Sequence, residues 1–210
     1  MSQEEEPNVS DLLFFGGANP PELSRVTGLY GEVTDENCRV LVSSLYCFRD
    51  SGKTVETKEQ EDENIEPETI TTYAPMELLV STEGGSVQDM FAVYDCMRDI
   101  RRDCDIHTLG IGKVMSAGVL LLAGGTKGKR RAGRNCRLML HAPSGGQFGS
   151  LKELEVDIRE VKWYQNQFVK SLAIESNLSE RKIKAIFRKK TDTYFDAQQA
   201  IEWGIIDEVV

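Results

Sequence analysis

The sequence predicts an α/β fold. MELLVSTEGG reads as a buried strand ending at paired glycines, and SVQDMFAVYDCMRDIRRD follows it with a helical pattern. IHTLGIG is a second strand that runs into a small-residue helix after Ser116. The same alternation recurs at CRLMLHAP and beyond, as expected for helices covering a sheet.

Each element has its own signal. GLYGEV at Gly28 is a short strand bounded by a turn. CRVLVSSLYCF from Cys38 fits either a helix or a continued strand, since its periodicity does not decide, and we assign a helix. In the helix after the paired glycines, Val87, Met90, Phe91, Tyr94 and Met97 fall near one face. SGGQFGS after His141 is a turn-rich connection. LKELEVDIREVKWYQNQFVKSLAIES is the longest helical pattern, with Leu154, Ile158, Val161, Phe168 and Leu172 as an apolar stripe. About 25 helical residues extend about 38 Å, enough to project from a small domain and meet another subunit. NLSERKIKAIFRKK is a further helix with Ser179 as its N-cap, and Gly204 stops the last one.

Composition narrows the class. The chain has 210 residues, 40% hydrophobic and 28% charged, which suits one compact soluble domain. No apolar run nears the roughly 20 residues of a membrane span. The acidic start MSQEEEPNVS lacks the pattern of a secretory signal, so a cytoplasmic location is expected. Five scattered cysteines without CxxC spacing indicate neither a disulfide framework nor a metal site; reduced packing thiols are expected. A net charge of −9 argues against nucleic-acid binding.

Two segments depart from that average. Lys127, Lys129, Arg130 and Arg131, followed by Arg134 and Arg137, form a basic run read as a solvated loop or a subunit contact. The stretch from Glu56 to Glu68, within an insertion spanning about residues 54–74, is acidic and lacks apolar periodicity; a mobile surface insertion is expected.

Ser116 sits between a strand end and a helix start, and His141 is one of only two histidines. A serine hydroxyl becomes a nucleophile at neutral pH only if an imidazole takes its proton during attack, and a carboxylate then orients and stabilises that imidazole. Taken singly, Ser116 is a helix-start serine and His141 a hydrogen-bonded core histidine. His107, in a strand pattern, reads as structural.

Several motifs in order resemble the Clp protease proteolytic subunit, a serine peptidase family, from about Gly28 to Val210. EGGSVQDMFAVYDCM is similar to its glycine turn and helix, GKVMSAGVLLLAGGTKGKR to its nucleophile segment, RLMLHAPSGGQFGS to its histidine strand, and KKTDTYFDAQQAIEWGIIDEVV to its acidic segment. The resemblance implies a ClpP/crotonase-like repeated β-β-α superhelix with a projecting long helix. It divides the chain into a divergent N-terminal segment, 1–27, and a protease domain, 28–210. It implies Ser116 as nucleophile, His141 as base and then acid, and Asp192 as the orienting carboxylate, with Asp196 a nearby competitor. It further implies backbone N–H groups of Gly85 and Ala117 as the oxyanion hole, and Gly145 and Gly146 as the turn along which an extended substrate adds as a strand.

The implied activity is peptide-bond hydrolysis through an acyl-enzyme, with apolar residues favoured before the cut. The implied assembly is two stacked heptameric rings of this chain, alone or mixed with similar subunits and fed by an ATP-dependent AAA+ unfoldase. The sequence contains no GxxxxGK[ST] phosphate loop, so no cofactor is expected in this chain and ATP use belongs to the partner. Neither a metal, a nucleic acid nor a membrane enters this reading.

The chain departs from the family pattern at Glu83, where a proline is usual, at Ala117, where methionine is more frequent, at Thr191, where arginine is usual, and throughout the segment before Gly28. Three other readings stay open: a catalytically idle subunit of a mixed barrel, a crotonase-like acyl-CoA enzyme, and a maturation protease of a self-assembling particle.

Overall fold

The computed structural model describes residues 24–58, 67–143, 148–189 and 191–210. Strand β1 (Val26–Val33) leads to helix α1 (Asp35–Ser51), which Thr34 caps by accepting the Asn37 N–H at 3.4 Å. The Cys38 segment is therefore helical, with Cys38, Leu41 and Leu45 turned to the core. Strands β2 (Lys53–Lys58) and β3 (Glu68–Tyr73) follow, then β4 (Met76–Gly85), α2 (Val87–Ile100), β5 (Ile106–Met115), α3 (Ala117–Ala123), β6 (Arg130–Ala132) and β7 (Arg137–Leu140). The chain closes through α4 (Leu151–Glu175), α5 (Glu180–Phe187), β8 (Thr193–Asp196), α6 (Ala197–Glu202) and β9 (Glu208–Val209).

The main sheet runs β1-β4-β5-β6-β9, with parallel pairing throughout that path. The β4 burial pattern alternates from Met76 to Thr82, and α2 and α3 cover the sheet with Met90, Val93, Tyr94 and the whole of α3 buried. Strand β5 changes neighbours along one edge. Thr108–Gly110 pair with β6, whereas Lys113–Met115 pair with β7. Gly112, at φ +66°, lies between the two pairings. Strand β8 then adds antiparallel to β7.

The acidic insertion has structure at its edges. Strands β2 and β3 pair antiparallel from Lys53↔Tyr73 to Lys58↔Glu68, forming a two-stranded sheet separate from the main one. The Thr, Val, Ile and Tyr residues in KTVETK and ETITTY supply the β preference that the acidic composition masked. All six residues of β2 are exposed. The residues between the strands, 59–66, lie outside the described set.

Helix α4 extends 25 residues, with Ser150 and Glu153 forming a reciprocal capping box. Of its expected apolar stripe, Phe168 and Leu172 are buried, while Ile158 and Val161 are exposed, as are Val156, Trp163 and Ile174 on the same helix. The buried residues of α4, Phe168, Val169, Leu172 and Glu175, all lie in its C-terminal part. No helix of the described residues is long and apolar enough to cross a membrane.

The basic run is not simply a solvated face. Arg130 is 4% exposed, and its guanidinium donates to both carboxylate oxygens of Asp207 at 2.9 and 2.6 Å and to the Ala123 and Glu175 carbonyls. Asp207 also accepts the backbone N–H groups of Gly128 and Arg130. Arg131 pairs with Glu77. Glu175, the last residue of α4, is 2% exposed and accepts hydrogen bonds from Tyr94 and Arg101. Buried charges occur because each is matched, a pattern that linear charge counting cannot show.

All five cysteines are free; Cys47 is exposed, and burial raises the thiols of Cys38, Cys96 and Cys136 to about 11. Those three buried thiols therefore remain protonated packing groups at neutral pH.

Removing one partner of the Arg130–Asp207 pair strands the other. Asp207→Ala is expected to lower the unfolding free energy by about 3 kcal/mol in urea titrations. Burial raises the Asp207 carboxyl, but its hydrogen bonds to Arg130 and the guanidinium charge outweigh that effect and leave it below its ordinary value. Its contribution is thus present above the unfolded value of about 3.9 and lost as pH falls through the lower folded value. Wild type should lose stability more steeply than Asp207→Asn below about pH 4.

Candidate active site

Sheet register assembles the site. Met115↔Met139 places the end of β5 beside β7, and the Ser116 N–H donates to the Met139 carbonyl at 2.8 Å. His141 lies two residues further along. On the other side of β7, the antiparallel pair Leu140↔Thr193 makes His141 and Asp192 the next positions to face each other. Asp196 sits at the opposite end of that ladder, across from Arg137, and caps α6 by accepting the Gln199 N–H at 2.8 Å.

The side chains follow the register. His141 Nε2 is 2.9 Å from Ser116 Oγ, and His141 Nδ1 is 3.6 Å from Asp192 Oδ1. The first distance is a hydrogen bond; the second is a close approach without one. His107 pairs with Glu77 at the start of β5, at the other end of the strand from Ser116.

Ser116 has φ +54° and ψ −117°, and it is the one non-glycine residue with positive φ among those described. Such a backbone costs about 1–3 kcal/mol and is held by its surroundings. Although Ser116 occupies the N-cap position of α3, its hydroxyl makes no capping bond. It turns to His141 instead.

The neighbouring glycines are steric requirements. A Cβ on Gly84, at φ +95°, would lie 2.6 Å from Ser116 Cβ, and one on Gly118 would lie 2.4 Å from Thr82 Cγ2. Gly85, at φ +148°, has no room either, since its Cβ would meet the Val33 carbonyl at 2.4 Å. Thr82 Oγ1 accepts the Gly84 N–H at 3.0 Å, which fixes the turn from inside.

Ser116, Ala117, His141 and Gly85 open onto a cavity of about 460 Å³. Its walls are apolar: Val87 and Met90 from α2, Val161, Tyr164 and Phe168 from α4, and Phe187 from α5. Tyr164 and Phe187 were absent from the sequence-derived site, although Tyr164 falls at helical spacing between Val161 and Phe168. Glu83 is also on the cavity wall, and Lys113 Nζ forms an ion pair with its Oε1. Nothing in the linear sequence marks Lys113 as its partner. Gly145 and Gly146, the expected substrate turn, lie outside the described residues.

A serine at a strained strand–helix turn, hydrogen-bonded to an imidazole beside an apolar cavity, is the class of arrangement met in α/β hydrolytic enzymes. A family model described as Clp protease matches residues 68–210, and the chain belongs to that family. ATP-dependent Clp protease proteolytic subunit 1 of Prochlorococcus marinus subsp. pastoris (strain CCMP1986 / NIES-2087 / MED4) is 35% identical over 137 residues, covering 63% of this chain. The match spans 66% of that relative's length. The mixed α/β architecture with its parallel sheet accords with this membership.

Gly84→Ala tests the steric reading. It is expected to destabilise the chain by about 2 kcal/mol in chemical denaturation, from the positive φ and the clash behind Ser116. Unchanged stability would mean that the turn relaxes without cost.

Proposed function

We propose that this chain is a serine endopeptidase subunit that hydrolyses peptide bonds in peptides or unfolded proteins. The 2.9 Å contact between Ser116 Oγ and His141 Nε2 on the strained turn is the observation that carries the reading. In the proposed reaction, His141 takes the Ser116 proton as Oγ attacks the scissile carbonyl. The tetrahedral intermediate then expels the amine, which receives that proton from imidazolium. Water, activated by the same imidazole, cleaves the acyl-enzyme and restores the serine.

Asp192 is the proposed orienting carboxylate. Its 3.6 Å separation from Nδ1 suits a site that tightens when substrate is bound, since catalytic hydrogen bonds are often long in the free enzyme. Gly85 and Ala117 are the proposed oxyanion donors. The Ser86 N–H is spent on the Val33 carbonyl, so strand alternation directs the Gly85 N–H away from β1. Ala117 opens α3, where N–H groups lack intrahelical partners. The apolar cavity suits a hydrophobic side chain before the cut.

The family membership and the exposed apolar residues on α4 support self-association through that helix. Stacked heptameric rings enclosing the serines, alone or with related subunits, and an AAA+ unfoldase that supplies ATP-driven threading, complete the proposal. Such an enclosed site would restrict unaided cleavage to short peptides.

A fluorophosphonate reports the nucleophile without assuming a substrate. Wild type is expected to gain one adduct by intact mass, and Ser116→Ala none. His141→Ala should label at least a hundredfold more slowly, the range of general-base contributions. A folded, assembled wild type that refuses the probe would favour the catalytically idle subunit.

The α4 surface has a separate test. Val156→Glu combined with Trp163→Glu is expected to shift the sedimenting species to lower mass while leaving far-ultraviolet dichroism intact. An unchanged mass would place the subunit contact elsewhere.

A further inference from the structure

Glu83 is the sole acidic side chain among the described residues that line the cavity. Strand alternation at the end of β4 buries Thr82 and turns Glu83 outward, one residue before the glycine that backs onto Ser116. Lys113, three residues before Ser116 on β5, engages Oε1, whereas Oε2 has no hydrogen-bond partner among the described residues. Lys113 itself is not part of the cavity wall. An occupant of the cavity therefore meets the carboxylate rather than the ammonium.

That arrangement separates two effects. The Lys113 ammonium balances the negative charge, which would otherwise oppose an anion forming near Ser116. The remaining carboxylate oxygen still accepts hydrogen bonds at the edge of an apolar chamber. The Lys113 hydrogen bond and charge also hold the Glu83 carboxyl below the usual carboxylate range, so it is ionised at neutral pH.

We infer that Glu83 is a specificity-determining residue that makes the cavity rim favour peptides with lysine or arginine beside the apolar residue filling the pocket, and disfavour aspartate or glutamate there. The inference rests on the peptidase reading above. It adds a charge preference to an otherwise apolar subsite, and it assigns Lys113 the role of balancing that charge.

Because the pair is exposed, the selectivity is modest and salt-sensitive. Three quenched peptides would be compared on the full chain, identical except for Lys, Gln or Glu next to one apolar residue, in sets varying the residue before and the residue after it. In one of the two sets, wild type at low salt is expected to give a Lys-to-Glu ratio of kcat/KM on the order of fivefold, narrowing in 1 M salt. Glu83→Gln, which leaves the Lys113 ammonium unbalanced, should abolish or invert that ratio, Glu83→Lys should invert it, and Glu83→Gln combined with Lys113→Gln should bring it close to one. Ratios within one variant do not depend on the fraction of active protein. Equal cleavage of all three peptides by wild type, or a ratio unchanged in Glu83→Gln, overturns the charge rim alone. Failure of wild type to cleave any of the peptides overturns the peptidase reading and this inference with it.

Discussion

The change of partner along β5, from β6 to β7, is the constraint on which the site depends. A strand that stayed beside β6 to its end would leave Ser116 facing a sheet edge. By crossing onto β7 past Gly112, it brings the serine level with Met139, and the parallel register then delivers His141 without any loop having to find it. The antiparallel addition of β8 brings Asp192 by the same logic. Three residues separated by 25 and 51 positions are thus placed by ladder hydrogen bonds, whose geometry tolerates little drift.

Charge performs the complementary task at the other end of α3, where the Ala123 carbonyl accepts from Arg130. Glu175 ends α4 and is tied to Tyr94 and Arg101, while its carbonyl accepts from Arg130, which Asp207 holds in turn. This chain of contacts links α2, α4, β6 and the segment before β9. The cavity wall contributed by Val161, Tyr164 and Phe168 depends on the same helix, so its position is coupled to a buried carboxylate at the helix end.

Much of this was readable in the linear chain, for identifiable reasons. Paired glycines after an apolar run marked β4 and its turn, and Ser179 and Gly204 marked helix ends, because caps and positive φ are local demands. Ser116, His141 and Asp192 were readable as candidates through motif order, while their mutual distances required the register. The β2–β3 pair was hidden because acidic side chains outweighed its β-branched residues in composition. Arg130 looked solvated because burial depends on a carboxylate 77 positions away. The Glu83–Lys113 pair was hidden likewise, since it joins adjacent strands across a break in register between Val80 and Thr82.

The strain at Ser116 raises the question of why the turn does not relax into an ordinary helix cap. A serine at that position could gain about 1 kcal/mol by bonding a first-turn N–H, and relief of the backbone would add about 1–3 kcal/mol. Opposing this, every residue of α3 is buried, including Val119, Leu120, Leu121 and Leu122. Each such side chain contributes about 1.5–3 kcal/mol by leaving water, so disturbing even two of them would cancel the gain. Gly84 and Gly118 close the remaining routes, because Ser116 rests against one and Thr82 against the other. The helix is therefore fixed by its packing, the strand by its ladder, and the serine takes the conformation left between them. The hydroxyl that could have capped the helix is held instead toward the imidazole and the cavity.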